Sequence, residues 1–182
     1  MNIKKIIFSA IAVLTFTAFS SVANAGCGKI TIANMNWASA GLMAEVDKVI
    51  LEKGYGCNVE LIPGATMPSF TSMNEKGEPD ILPEFWANAA LDALTKAVGE
   101  GRMHSINKAP ILGLGEGWWI PPSTLKKHPE LTTAAAVLAR PDLFPHPEDS
   151  SKGGFHICPP GWACELINKQ MFKGWGMEAK GW

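Results

Sequence analysis

Hydrophobic positions along residues 27–101 follow two alternating patterns, one typical of strands and one typical of helices. The segments KITIANM and CNVELIPG are short runs with alternating or β-branched apolar residues, which predicts two strands. Between them, apolar residues recur at helical spacing and Gly54 is suited to end the helix. MPSFTSMNEKG, with Pro68 in its first turn, and the Ala-rich ANAALDALTKAVGEG predict two further helices. EPDILPEFW, which lies between these two helices, predicts a third strand.

The order strand, helix, strand, helix, strand, helix is typical of an α/β fold. It predicts a parallel sheet with helices on both faces. We assign residues 26–115 to this first lobe. From residue 116 to 182 a second lobe begins, with predicted strands in LGEGWWIPP and FHIC and a helix in WACELINKQMFKGWG. Only about 65 residues are left for it, whereas domains usually have roughly 100–150, so we expect the chain to be truncated within an incomplete second lobe.

Residues 1–25 have the pattern of a secretory signal peptide. Two lysines precede an apolar run over 6–19, and a small-x-small cleavage motif ends at Ala25. The apolar run is too short to span a bilayer. Cys27 follows closely, but Asn24 stands where a lipoprotein signal normally carries Leu. We therefore expect export to the periplasm without a lipid anchor.

Composition and charge exclude several classes of function. The chain is 47% hydrophobic and 18% charged, which is typical of a folded protein. Its formal net charge of −1 gives no reason to expect nucleic acid or anionic lipid as a partner. The four histidines are scattered, and neither G-x-S-x-G nor H-E-x-x-H occurs in the sequence. The pattern does not favour an enzyme, and we predict neither a cofactor nor a metal.

Four cysteines in an exported protein usually form two disulfides. Cys27 lies just before the first predicted strand, and Cys57 begins the second. Neighbouring strands are about 4.8 Å apart, and a disulfide needs a Cα separation of roughly 4.4–6.8 Å. We therefore predict the pairs Cys27–Cys57 and Cys158–Cys164.

Three interpretations compete for the second pair. A thioredoxin-type redox pair has two residues between its cysteines, whereas five lie between Cys158 and Cys164. A zinc site needs four ligands, and His156 is the one histidine nearby in the sequence. A local disulfide that fixes the intervening Pro-Pro-Gly-Trp loop is favoured. An exported thiol oxidoreductase or hydrolase is kept as an alternative function from a different class.

Three tryptophans occur where predicted strands end. Trp37 follows the first strand, Trp86 the third, and Trp162 the FHIC strand and its loop. Ligands of parallel α/β sheets gather outside the carboxyl ends of the strands, so these three predict one shared pocket. Indole faces that converge suit a quaternary ammonium ion, which cannot donate a hydrogen bond. The helix predicted after Gly161 offers free backbone N–H groups that favour a carboxylate. Together these features predict a receptor for a zwitterion such as a betaine.

The remaining tryptophans predict less. Trp118 and Trp119 are adjacent in a predicted strand, so their side chains should face opposite sides and one of them could line a pocket. Trp175 lies at helical spacing in an apolar segment, which favours packing in the core.

Several of these segments resemble one known family. CPPGWACELIN resembles the C-x-P-G-W-x-C segment of glycine betaine/proline betaine substrate-binding proteins of ABC importers. DILPEFWANA and MNWASA are similar to Trp-containing segments of the same family, and the resemblance covers residues 27–182. It implies a type II periplasmic-binding-protein-like fold of two lobes that close on the ligand by hinge motion.

The resemblance also implies ligand contacts. Trp37, Trp86 and Trp162 would be walls of an aromatic cage around trimethylammonium, and the N–H groups of Ala163 and Cys164 would bind the carboxylate. Trp118 matches a position where some choline-binding relatives place an aromatic ligand contact. Family members are longer, and a further cage aromatic usually comes from the part of the second lobe that this chain lacks.

The expected function is capture of glycine betaine or proline betaine for an ABC permease with its ATPase. A choline- or carnitine-type binding protein is the nearest alternative, and a solute sensor that docks on a membrane receptor is another. A choline site would have no use for a helix start that binds a carboxylate, which favours a betaine.

Overall fold

The computed structural model describes residues 27–106 and 116–182. The predicted signal peptide, at residues 1–25, lies outside them. The long elements are strands β1 (Lys29–Met35) and β2 (Asn58–Gly64) and helices α1 (Ala38–Tyr55), α2 (Thr66–Lys76), α3 (Leu91–Gly99) and α6 (Ala163–Gly174). Two short helices are α4 (Pro122–Lys127) and α5 (Ala134–Leu138), and 3₁₀ turns cover Asn88–Ala90, Pro141–Leu143 and Glu178–Lys180.

β1 and β2 pair in parallel, in register from Lys29 opposite Asn58 to Met35 opposite Gly64. Parallel strands need a crossover connection, which α1 provides. A core cluster of Ile32, Ala44, Cys57 and Val59 joins both strands to this helix. The predicted α/β fold with a parallel sheet is confirmed.

α1 contacts the sheet through a different face from the one that its bulky residues indicate. Ala40 and Ala44 are fully buried, because small side chains let the helix approach the strands closely. The apolar residues that predict the helix instead have 47–67% of their surface exposed: Leu42, Val46, Val49 and Ile50. The predicted end at Gly54 is also wrong. Gly56 ends the helix in the left-handed conformation, with φ +69°.

The predicted third strand is reduced to one bridge between Ile81 and Ile32 of β1. Ile81 donates to the carbonyl of Thr31 at 3.1 Å and accepts from the N–H of Ala33 at 2.9 Å. The side chain of Asp80 adds 2.7 Å bonds from the N–H and hydroxyl of Thr31, which hold the pKa of its carboxyl below its usual range. Pro83 cannot donate to a ladder, so the strand does not continue.

In the second half, α6 forms as predicted, whereas the two predicted strands do not. The described part of LGEGWWIPP, from residue 116, and FHIC at 155–158 are not paired into a ladder, and residues 114 and 115 of the first segment lie outside the described part. A bridge between Pro145 and Gly153 forms instead. The side chains of this half pack in a cluster around Leu138, Met177 and Trp182. The boundary between lobes at residues 115 and 116 stays a prediction.

No helix in residues 27–106 and 116–182 is both long and apolar enough to cross a bilayer.

Candidate ligand-binding site

Trp37 and Trp162 lie side by side although they come from opposite halves of the chain. Each occupies the N-cap position of a helix, Trp37 before α1 and Trp162 before α6. Their ring centroids are 5.2 Å apart and their planes meet at 67°, an edge-to-face arrangement. This geometry is one that indole pairs favour, because the positive edge of one ring meets the negative face of the other.

Glu84 joins Trp86 to this pair. Its Oε1 atom accepts a 2.9 Å hydrogen bond from Nε1 of Trp37 and a 2.6 Å bond from Nε1 of Trp86. One carboxylate oxygen therefore holds the edges of two indoles at a common point.

Asn36 positions the third indole. Its side-chain oxygen accepts a 2.7 Å hydrogen bond from Nε1 of Trp162. Nearby, the N–H of Met67 donates to the carbonyl of Gly161 at 3.2 Å. The loop before α6 is thus bonded to the first half at two points beside the tryptophans.

The start of α6 presents unused donors. Trp162 has no side-chain capping bond, and no hydrogen bond to the N–H of Ala163 or Cys164 occurs among the residues that the structure describes. The first N–H groups of a helix have no partner within it and carry the positive end of its dipole. This helix start can therefore bind a carboxylate.

Gly161 allows the chain to reach that helix start. Its φ of +87° lies in the left-handed region, and a Cβ atom there would lie 3.3 Å from Cβ of Ala65. The predicted turn at Gly161 is confirmed.

Glu165, in the first turn of α6, is largely buried, and each of its two carboxylate oxygens has a partner. Its Oε2 accepts a 2.8 Å bond from the N–H of Gly161, and its Oε1 pairs with Nζ of Lys169. The ammonium of Lys169, and then the N–H of Gly161, lower the pKa of this carboxyl. Because Lys169 offsets its charge, Glu165 opposes an anion at the helix start less than a free carboxylate would.

A cavity of about 940 Å³ brings the predicted residues together. It is lined by all six: Trp37, Trp86, Trp118, Trp162, Ala163 and Cys164. Among its described lining residues, Glu116 is the one that carries a charge, and no Lys, Arg or His is present. No cationic side chain of this lining would repel a bound cation, so a carboxylate there would be bound by neutral hydrogen-bond donors, among them the backbone N–H groups at the start of α6.

The cavity contains more aromatic surface than expected. Trp118 and Trp119 both line it, since residues 116–121 form no strand that would direct their side chains to opposite faces. The predicted core position of Trp175 is also wrong. This side chain is 40% exposed, and its ring meets that of Trp118 edge to face with centroids 5.1 Å apart. Trp118 in turn donates a 2.8 Å bond to Oδ1 of Asn168.

Both cysteine pairs lie at disulfide distance. Cys158 and Cys164 are bonded with their Cα atoms 5.9 Å apart, and Cys27 and Cys57 with theirs 4.9 Å apart. The bond between Cys158 and Cys164 encloses Gly161 and Trp162, so it limits the motion of the part of the cavity wall that Trp162 forms.

Sequence reasoning missed Glu84 and Asn36. Asn36 directly precedes Trp37, and Glu84 lies two residues before Trp86. This closeness in sequence to a predicted site tryptophan was the one signal that could have indicated them. Which indole each would bond depends on tertiary placement.

Residues 28–181 match the family described as OpuAC, the substrate binding domain of ABC-type glycine betaine transport systems. The chain belongs to this family. OpuAC domains have the type II periplasmic-binding fold and are binding proteins that act outside the cytoplasm, in extracellular or periplasmic locations. A search of the curated proteins finds none that matches the chain.

Proposed function

We propose that the protein captures glycine betaine or proline betaine in the periplasm, after export by its signal peptide, and delivers it to the permease of an ABC importer. The observation that carries the proposal is the cavity itself. Three neighbouring indoles, Trp37, Trp86 and Trp162, lie in the same cavity as the unused N–H groups at the start of α6.

The two ends of a betaine have different needs. A trimethylammonium group is held by indole faces, at roughly 0.5–2 kcal/mol for each desolvated contact. A carboxylate accepts hydrogen bonds from the N–H groups of Ala163 and Cys164 and is favoured by the dipole of α6. A cavity without basic side chains in its described lining suits the trimethylammonium end, because no like charge repels it, and leaves the carboxylate to neutral donors such as these N–H groups.

Titration with tryptophan fluorescence and calorimetry tests this function. Glycine betaine and proline betaine should bind and change the emission, whereas glycine, which has the same carboxylate but no methyl groups, should not. Trp162→Ala should abolish the response. Binding of an uncharged sugar or a plain amino acid, with no response to any betaine or choline, would overturn the proposal.

Choline tests the nearest alternative, a choline-type binding protein. Choline shares the trimethylammonium group with betaine but has no carboxylate, so it should bind more weakly if the N–H groups of α6 take part. Equal affinity for choline and betaine would favour a choline-type site.

Thiol titration separates the alternative of a thiol oxidoreductase. All four cysteines form disulfides, in two pairs. No titratable thiol should be found in the native protein, and a disulfide that reduces readily with retained structure would favour redox chemistry.

A further inference from the structure

Glu84 bonds the N–H edges of two cavity tryptophans without lining the cavity itself. It is not among the lining residues of the cavity, although both of its indole partners are. Two N–H groups converge on its Oε1, from Trp37 at 2.9 Å and from Trp86 at 2.6 Å. An indole has a single N–H donor, so each ring uses its whole hydrogen-bonding capacity on this carboxylate.

The charge of Glu84 is not offset by a neighbouring cation in the described part of the chain. No Lys, Arg or His nitrogen from residues 27–106 or 116–182 lies within ion-pair distance of it. Glu165, in contrast, is paired with Lys169. Glu116, a third acidic residue, lines the cavity itself. Of Glu84 and Glu165, the one without an ion pair is bonded to the aromatic walls, and the paired one is at the helix start.

This division of charge matches the two ends of a zwitterion. A hydrogen bond to an ionised acceptor is stronger than a neutral one, and it polarises the donor group. An indole that donates to a carboxylate gains electron density on its ring, which strengthens the attraction of its face for a cation. The negative charge also attracts the cation directly across the ring.

We propose that Glu84 is a positioning residue that fixes Trp37 and Trp86 as adjoining walls of the cation site and, through its charge, makes that site select a cation over a neutral group of the same shape. The proposal deepens the proposed function and rests on it for the identity of the ligand.

Two variants separate position from charge. Glu84→Gln keeps a side-chain oxygen that can accept both indole bonds but removes the charge, and Glu84→Ala removes the acceptor. Asp92→Asn is the matched control, since it removes one negative charge from an exposed side chain that makes no side-chain hydrogen bond in the described residues.

Two ligands make the measurement specific. Glycine betaine and 3,3-dimethylbutanoate have the same shape and carboxylate, but the second has carbon in place of the charged nitrogen. In Glu84→Gln we expect an affinity loss of about tenfold for betaine and less than about twofold for 3,3-dimethylbutanoate, whose tert-butyl end is uncharged. Glu84→Ala should weaken both ligands, and Asp92→Asn neither. Equal losses for both ligands in Glu84→Gln would overturn the selection by charge.

A second readout needs no ligand. In ¹H–¹⁵N spectra of the free protein, the indole N–H signals of Trp37 and Trp86 should move together in Glu84→Ala and much less in Glu84→Gln. If neither signal moves in Glu84→Ala, the positioning role is wrong, whatever the protein binds. If both move but no quaternary ammonium ligand binds the native protein, the positioning role stands and the proposed function fails.

Discussion

The indole N–H of Trp162 donates a 2.7 Å hydrogen bond to the side-chain oxygen of Asn36, which lies 126 positions earlier in the chain. Asn36 follows β1, whereas Trp162 directly precedes α6. The bond therefore joins the two halves of the chain at the wall of the ligand cavity. We therefore expect ligand affinity and contact between the halves to depend on the same residues.

A double-mutant cycle should detect this bond. Asn36→Ala and Trp162→Phe each remove one partner, and each should weaken glycine betaine binding, since a net hydrogen bond contributes about 0.5–1.5 kcal/mol. The double variant should lose less than the sum of the two single losses, because each substitution removes the same bond. Calorimetric dissociation constants for the four proteins give the coupling. Fully additive losses would show that the bond does not contribute to ligand binding.

Gly161→Ala should destabilise the protein and weaken betaine binding. The left-handed conformation at φ +87° costs a residue with a Cβ atom about 1–2 kcal/mol. The new Cβ would also press on Ala65, which shifts the start of α6. Urea unfolding and betaine titration measure the two effects.

Gly174→Ala is the control for Gly161→Ala. Gly174 ends the same helix, and a Cβ atom there would meet nothing within 4 Å. Its substitution should leave stability equal or increased by up to about 1 kcal/mol, with unchanged affinity. If both alanine variants behave alike, the conformation of Gly161 is not what limits the site.

The sequence predicted the helices better than the strands. A helix satisfies its own backbone hydrogen bonds, so periodicity alone can indicate α1 and α6. A strand needs a partner, and neither FHIC nor most of DILPEFW pairs into a ladder within the described residues. The sequence also did not indicate which face of α1 is buried. The helix contacts the sheet closely through the small residues Ala40 and Ala44, and the larger apolar side chain of Leu42 is exposed.

The site shows the same division. The rule that ligands gather at the carboxyl ends of parallel strands predicts a shared pocket for Trp37, Trp86 and Trp162. All three line one cavity, although FHIC before Trp162 forms no strand and the segment before Trp86 forms a single bridge. No such rule predicts that Glu84 bonds two indoles, since Trp37 precedes it by 47 positions. Side-chain hydrogen bonds between distant segments depend on tertiary geometry that periodicity does not carry.

The two disulfides should differ in what their loss changes. Cys57 is buried in the core cluster directly before β2, so replacing Cys27 and Cys57 with alanine should lower the unfolding free energy by about 3 kcal/mol with little effect on betaine affinity at low temperature. Replacing Cys158 and Cys164 should weaken binding as well, because that bond encloses Trp162. Thermal unfolding and calorimetry on both double variants make the comparison. Equal affinities in the two variants would contradict a role for Cys158–Cys164 in holding the site.

Protonation of Glu165 at low pH should destabilise the start of α6. The pKa of its carboxyl is lowered from its ordinary 4.5 by Lys169 and by the N–H of Gly161, so the ionised form is favoured in the folded protein. A lowered pKa contributes stability that is full above the ordinary value and is lost as pH falls through the folded value.

Two substitutions, Glu165→Gln and Lys169→Met, separate the effect of this carboxyl on stability from that of the other acidic residues. The midpoint of thermal unfolding should be higher for the native protein than for Glu165→Gln at pH 7, and the difference should shrink as the pH falls below 4.5. Lys169→Met removes the first cause of the lowered pKa, so acid loss should begin at a higher pH in that variant. A difference between native protein and Glu165→Gln that stays constant through the acid range would show that Glu165 gains no stability from ionisation.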